Sequence, residues 1–268
     1  MTTEQSTTTE SRQPLLVLRG ISKRFGAVQV LHEVDFEIHP GEVVALVGDN
    51  GAGKSTLIKV ISGIFKADSG DIVWQGTNRH LAAPADATAL GIATVYQDLA
   101  LCDNLDVVAN LFLGHEERGV SRLIDETSME RDATVLLRRL AVAIPSVRTP
   151  VASLSGGQRQ SVAVARATMG DPKLVILDEP TAALGVPQTR QVLALIDRLR
   201  EEGLAVIVIS HNLVDVFQVA DRIIVLRLGR RVATMEASTS TADQVVAAMT
   251  GAAEADVAQV LQAGGVTS

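Results

Sequence analysis

Apolar residues along this chain fall into two kinds of run. Val43–Val47, Leu174–Leu177 and Leu204–Ile209 are unbroken, the pattern of short strands buried on both faces of a parallel sheet. Val34, Phe36 and Ile38 instead alternate with Asp35 and Glu37, as in a strand with one wet face. Further strands are expected at 71–74, 92–96 and 222–226. Helical spacing fills the gaps between them. Lys54–Ser62 reads as a helix, Pro84 opens another that stops at Gly91, and a third runs from Ser155 toward Met169. Val192, Leu195, Ile196 and Leu199 mark one more amphipathic face. From Asp98 to about Pro150 the pattern is helical. Met129, Ala133, Leu136, Leu137 and Leu140 share a face there, and Thr127 with Glu130 suits a capping box. Strands and helices thus alternate, which predicts an α/β core interrupted by a helical insert.

Length and charge narrow the classes without choosing among them. The 268 residues suffice for one large domain or a domain with a sizeable subdomain. A net charge of −7 argues against a broad nucleic-acid surface. The single cysteine, Cys102, excludes an internal disulfide and fits a reducing compartment. Met1–Pro14 is rich in Thr, Ser, Gln and Glu with no apolar centre, so it reads as a disordered lead and not a signal peptide. The Ala/Gly-rich tail 251–268 is expected to fray. The apolar runs are too short to cross a bilayer, so membrane work would need spans from other chains.

Three motifs carry chemistry. Gly48-Asp49-Asn50-Gly51-Ala52-Gly53-Lys54-Ser55-Thr56 lies between a strand and a helix, the setting that a phosphate-binding loop requires. Gly48, Gly51 and Gly53 would let bare N–H groups curl around phosphates, and Lys54 would add a point charge. The Ser55 hydroxyl can ligate Mg²⁺. Asp178 and Glu179 end a buried strand, and such ends open onto the ligand crevice of a parallel sheet. Asp178 would sit near Mg²⁺, and Glu179 could orient or deprotonate a water. Ser155-Gly156-Gly157-Gln158 opens a helix with a good N-cap, another anion-binding terminus.

In this order the three motifs resemble those of the ATP-binding cassette (ABC) ATPases, over about Leu15–Thr250. The resemblance implies a P-loop NTPase with a RecA-like core, an antiparallel β subdomain and a helical subdomain. The core would take 15–97 and 166–250, and the insert about 98–165. It also implies a second copy of the chain, whose Ser155–Gln158 would bind the γ-phosphate held by the first. His211 matches the family's switch histidine and would assist Glu179 and Lys54 in catalysis. Gln97 matches the glutamine that senses Mg²⁺ and water, and Phe25 the aromatic that stacks on adenine. Trp74 and Cys102 read as packing or loop residues. One position departs: the family usually has Asp where Ala182-Ala183-Leu184-Gly185 places Gly185, which removes a side chain expected to cross the dimer interface.

The segments 95–101 and 104–114 are similar to those of bacterial monosaccharide importers of the ribose, xylose and fructose type. That implies ATP and Mg²⁺ as cofactors, and a homodimer docked on an integral membrane permease at the cytoplasmic face. A periplasmic or lipid-anchored solute-binding protein would act indirectly, and no nucleic acid is involved. The helical insert beside Gln97 would hold a groove for a cytoplasmic helix of the permease. Other readings of the same motifs are a regulatory switch with weak hydrolysis, the ATPase half of an exporter, and a soluble cassette protein acting on ribosomes or DNA. The last is disfavoured by a single acidic cassette without heptads.

Overall fold

The computed structural model describes residues 13–118 and 123–252, which fold around two sheets. In one, β2 (Val28–Ile38), β1 (Leu16–Phe25), β4 (Ser69–Trp74) and β5 (Thr77–Arg79) lie antiparallel in that order. In the other the order is β10 (Arg230–Glu236), β9 (Arg222–Arg227), β3 (Val43–Val47), β8 (Ala205–Ile209), β7 (Leu174–Asp178) and β6 (Ile92–Val95). All neighbours in it are parallel except β10 with β9. The helices are α1 (Lys54–Ile61), α2 (Pro84–Leu90), α3 (Val107–Phe112), α4 (Glu126–Arg139), α5 (Gly156–Thr168), α6 (Val186–Glu201), α7 (Leu213–Val219) and α8 (Ala242–Thr250).

Strand parity divides the core. Leu174 and Ile176 of β7, Ile207 and Ile209 of β8, and Val44 and Leu46 of β3 pack on one face, with α1 and the antiparallel sheet. Val175 and Leu177, Val206 and Val208 pack on the other, with α5 and α6. Every one of these side chains is buried, so the unbroken apolar runs follow from having two covered faces. The layer containing α5 also holds α3 and α4. Val162 and Ala165 share one apolar cluster with Leu136, Leu137, Val175 and Leu177. The boundary expected at 165/166 therefore falls inside a continuous helix that packs on both parts.

The helical expectation for 98–150 is corrected. Only α3, α4 and a short 3₁₀ turn at Val151 form helix near that span, and the rest of its described residues are irregular. The irregular chain is fixed by the fully buried Asn110. Its Oδ1 accepts from Cys102 N at 2.7 Å, and its Nδ2 donates to the carbonyls of Cys102, Leu105 and Asp106 at 2.9–3.2 Å. The capping box at Thr127 and Glu130 is also corrected. Asp125 is the N-cap, accepting from Ser128 N at 3.0 Å, while Glu130 pairs with Arg148 at 2.8 Å. Met129, Ala133, Leu136, Leu137 and Leu140 are buried on one face as expected. The lead and the tail lie outside the described residues, apart from 13–14 and 251–252.

Asn110→Ala leaves the Cys102 N–H without its partner, while the carbonyls of Cys102, Leu105 and Asp106 keep backbone donors. The expected loss is about 1–3 kcal/mol of stability, read as a lower urea midpoint at unchanged slope. Asn110→Asp should not restore it, because the donor is gone and a buried charge is added.

Candidate functional site

The site assembles at the carboxyl edge of the parallel sheet. β3 ends at Val47 and the chain turns through Gly48, whose φ is 149°. A Cβ at Gly48 would run into the carbonyl oxygen of Leu226 on the neighbouring strand, so only glycine fits here. The loop returns into α1, with Gly53 at the N-cap in a left-handed conformation (φ 101°) and no side-chain cap. The first-turn N–H groups of α1 are therefore left to face whatever binds at its positive end. Lys54 folds back over the loop, its Nζ donating to the Gly48 and Asp49 carbonyls. Ser55 is exposed beside it.

Parity brings the acid to the lysine. Leu174 and Ile176 face α1, so Asp178, two residues further, points to the same side. The two charges feel each other, and so does Glu179. Burial pushes the Asp178 carboxyl above its ordinary value and the Glu179 carboxylate adds to this, while Lys54 and Lys59 oppose it. Burial pulls the Lys54 ammonium below its ordinary value, against Glu179, Asp49 and Asp178. Each ion is disfavoured by its setting, and the opposite charges offset part of the cost.

Glu179 leaves the strand with φ 51°, a left-handed conformation for a residue with a side chain. Its N–H is held by the Ile209 carbonyl at 2.9 Å, at the end of the adjacent strand β8. The next turn is fixed by a contact that no motif signals: Thr181 Oγ1 donates to the buried Asp215 carboxylate at 2.7 Å. So held, the Glu179 carboxylate lies 2.8 Å from His211 Nδ1, and the imidazole is largely exposed. His211 follows β8 at the buried Ser210. Gln97, two residues past β6 and exposed, stands at the same edge, since β6 runs beside β7 with Val95 opposite Leu177.

The remaining residues lie around this centre. Phe25 ends β1 as an exposed residue (42%), its ring edge-on to Phe65 at 5.0 Å and under the Lys23 ammonium at 5.5 Å. Its hairpin partner β2 approaches Gly53 through Val30 and Leu31. Ser155 caps α5, accepting from Gln158 N at 3.3 Å, while Gln158 Oε1 accepts from Ser155 N at 3.0 Å. Gln158 Nε2 donates to the Ala143 carbonyl, and no hydrogen bond among the described residues joins Ser155–Gln158 to the 48–56 loop. The structure thus gathers Lys54, Asp178, Glu179 and His211, and leaves Ser155–Gln158 as a separate anion-ready terminus.

Gly185 sits at the N-cap of α6 with φ −75°, a conformation open to any residue. A Cβ there would meet only the tip of Gln188, with Oε1 at 2.7 Å. That oxygen is buried and has no hydrogen-bond partner among the described residues. Gln188 also packs its Cβ against Gly157, where an added methyl would collide at 2.7 Å.

Comparison with known proteins agrees with this geometry. The ABC transporter family model matches residues 31–182. The chain is 47% identical over 251 residues to the fructose import ATP-binding protein FrcA of Rhizobium meliloti, covering 91% of this chain and 96% of that one. It is 45% identical to the xylose/arabinose import ATP-binding protein XylG of Sulfolobus acidocaldarius, covering 88% and 94%. Among solved structures, a dimeric ATP-binding cassette bound to ADP and Pi in a post-hydrolysis state superposes with a TM-score of 0.70 at 26% identity, covering 83% and 98%.

Asp178→Asn removes a carboxylate whose charged form the fold disfavours. Its raised folded-state pKa means that Asp178 contributes stability below the ordinary carboxylate value and loses it as pH rises through the raised one. The ligand-free variant should therefore be more stable than wild type near neutral pH, and the difference should vanish in acid. Urea denaturation at both pH values measures this. An equal or lower midpoint for the variant at neutral pH would contradict the electrostatic reading.

Proposed function

Since this chain belongs to the ABC transporter family, we propose that it is the ATP-binding and hydrolysing subunit of a monosaccharide importer, acting through a separate membrane permease. The observation that carries this reading is the match to two sugar-import ATP-binding proteins over nearly their whole length. Among the described residues no helix is long and apolar enough to cross a membrane, so the spans are assigned to the permease. The chain itself would sit peripherally at the cytoplasmic face.

The N–H groups and carbonyl-bound Lys54 of the 48–56 loop would receive the β- and γ-phosphates, with the exposed Phe25 ring available to stack on adenine. Residues for Mg²⁺ fit as well. No three His, Cys, Asp or Glu side chains converge among the described residues, and Mg²⁺ typically takes one or two protein oxygens plus phosphate oxygens and waters. Ser55 and Asp178 would supply the protein share, with Gln97 at the rim. Bound there, the ion would neutralise charge on the transferring phosphoryl group.

Glu179 is assigned as the base. Its carboxylate would accept a proton from water as the water oxygen bonds to the γ-phosphorus and the bond to the ADP oxygen breaks. His211, already 2.8 Å away, would hold that carboxylate in place. A neutral imidazole has one N–H, so His211 can donate to Glu179 or to a phosphate oxygen, but not to both at once. Ser155–Gln158 would complete the site from a second copy of the chain, which is why closure of two chains on ATP would be needed for turnover.

A groove of about 700 Å³ opens beside the irregular 98–106 segment, lined in part by Ala87, Leu99, Leu111, Phe112 and Met169. It is assigned to a cytoplasmic helix of the permease. The indirect partner would be a solute-binding protein outside the membrane.

The test is ATP turnover against protein concentration, alone and with reconstituted permease. Wild type should show a Mg²⁺-dependent rate rising faster than linearly with concentration. Glu179→Gln should lose on the order of 100-fold or more in rate while keeping ATP affinity. A wild-type rate no higher than that of E179Q, with permease and sugar present, would favour a nucleotide-dependent switch instead.

A further inference from the structure

The turn that follows Gln97 is held from an unexpected place. Arg166, in the C-terminal half of α5, donates Nη2 to the Leu99 carbonyl at 2.8 Å and Nη1 to the Ala100 carbonyl at 2.7 Å. The side chain is partly buried, and no carboxylate pairs with it among the described residues. Keeping an unpaired guanidinium out of water is costly unless its donors are used. A planar fork set on two successive carbonyls fixes their spacing and direction more rigidly than a point-like ammonium on a flexible stem does.

The turn needs such a hold. Ala100 has φ 48°, a left-handed conformation that disfavours a Cβ, and its N–H is met by Asp98 Oδ1 at 3.2 Å. Conformations of this kind persist only where the surroundings fix them. Beyond Ala100 the chain is fixed independently, by Asn110 at Cys102. Between Gln97 and the Arg166 fork only Asp98 intervenes.

Two features meet at this fork. Leu99 and Ala100 line the groove described above. The helix that carries Arg166 begins at Ser155, about 16 Å away along its axis. A helix transmits a push along its axis far better than the irregular chain at 98–106 does.

We propose that Arg166 is a positioning residue that ties the turn after Gln97 to α5, so that a partner helix seated in the groove displaces Gln97 and Ser155 together. The proposal rests on the importer reading above. Without the fork, a push on Leu99 would be absorbed by relaxation of the strained turn and would not reach α5.

The test compares wild type, Arg166→Met and Arg166→Lys, each as the isolated chain and in the full complex with its permease. In the isolated chain R166M should bind ATP as wild type does, with unchanged turnover and faster hydrogen exchange confined to residues 98–104. In the complex, stimulation of ATP turnover by permease and sugar should fall on the order of tenfold, with permease binding retained. R166K, which keeps the charge and loses the planar fork, should fall between the two, and it carries the test if R166M does not fold. Full stimulation in R166M, or unchanged exchange at 98–104, would overturn the proposal. If wild type shows no stimulation at all, the importer reading fails first and the transmission role falls with it. The exchange data then report on the fork alone.

Discussion

The structure depends on a sheet that is apolar on both faces. In β3, β8 and the first four residues of β7 there is no polar side chain, and all are buried. Such strands can place chemistry only where they stop. Two consequences follow from geometry alone. Polar residues accumulate at the carboxyl edge, where Gly48, Asp178 and Ser210 each follow the last apolar residue of a central strand. The face on which each acid appears is fixed by counting residues in twos. Asp178 faces α1 because Leu174 and Ile176 do. A single-residue slip of β7 would turn it toward α5 and α6, away from Lys54.

That placement creates an electrostatic tension. Lys54 and Asp178 each feel the other and the Glu179 carboxylate, and burial opposes the charged forms of both Lys54 and Asp178. The ammonium meanwhile spends its donors on two carbonyls of its own loop. A polyanion with a divalent cation would give Lys54 better partners and would compensate both carboxylates. The arrangement thus favours its guest by being poorly satisfied without it, which is a physical reason for binding beyond the glycine-rich loop. The left-handed Glu179 has the same character, held by Ile209 on one side and by the Thr181–Asp215 bond after it.

How much of this was legible in the sequence varied with the physics involved. The core strands could be read from unbroken apolar runs and α6 from its one apolar face, while α1, α2 and α5 were marked by the residues that open them: the glycine-rich loop, Pro84 and the Ser155 cap. The central residues Lys54, Asp178, Glu179 and His211 were legible through strand ends and motif order, and the structure brings them together. The segment from Asp98 to Pro150 was misread as helical, because its order comes from one buried amide, Asn110, and a distant guanidinium, Arg166. Neither leaves a periodic trace. The N-cap of α4 was misplaced by two residues because Asp125 and Thr127 are both good caps. Tertiary pairing of Glu130 with Arg148 removed the glutamate that a box at Thr127 would have used. Strands β1, β5 and β10 are mixed in polarity or short, and α7 and α8 are brief, so none declared itself.

The glycine at 185 is the instructive departure. Its backbone conformation does not call for glycine, and the space beside it is taken only by the flexible tip of Gln188. Neither the fold nor local strain therefore explains why a carboxylate is missing there. Gly157 is the opposite case, because its missing Cβ is what lets Gln188 lie against the start of α5. Gln188 thus touches both the 182–185 turn and the helix that Ser155 caps, and it carries a buried oxygen with no donor among the described residues. An unsatisfied acceptor at that junction costs stability in the single chain. The two glycines thus differ in kind: Gly157 is required by the contact with Gln188, whereas Gly185 is not required by its own backbone.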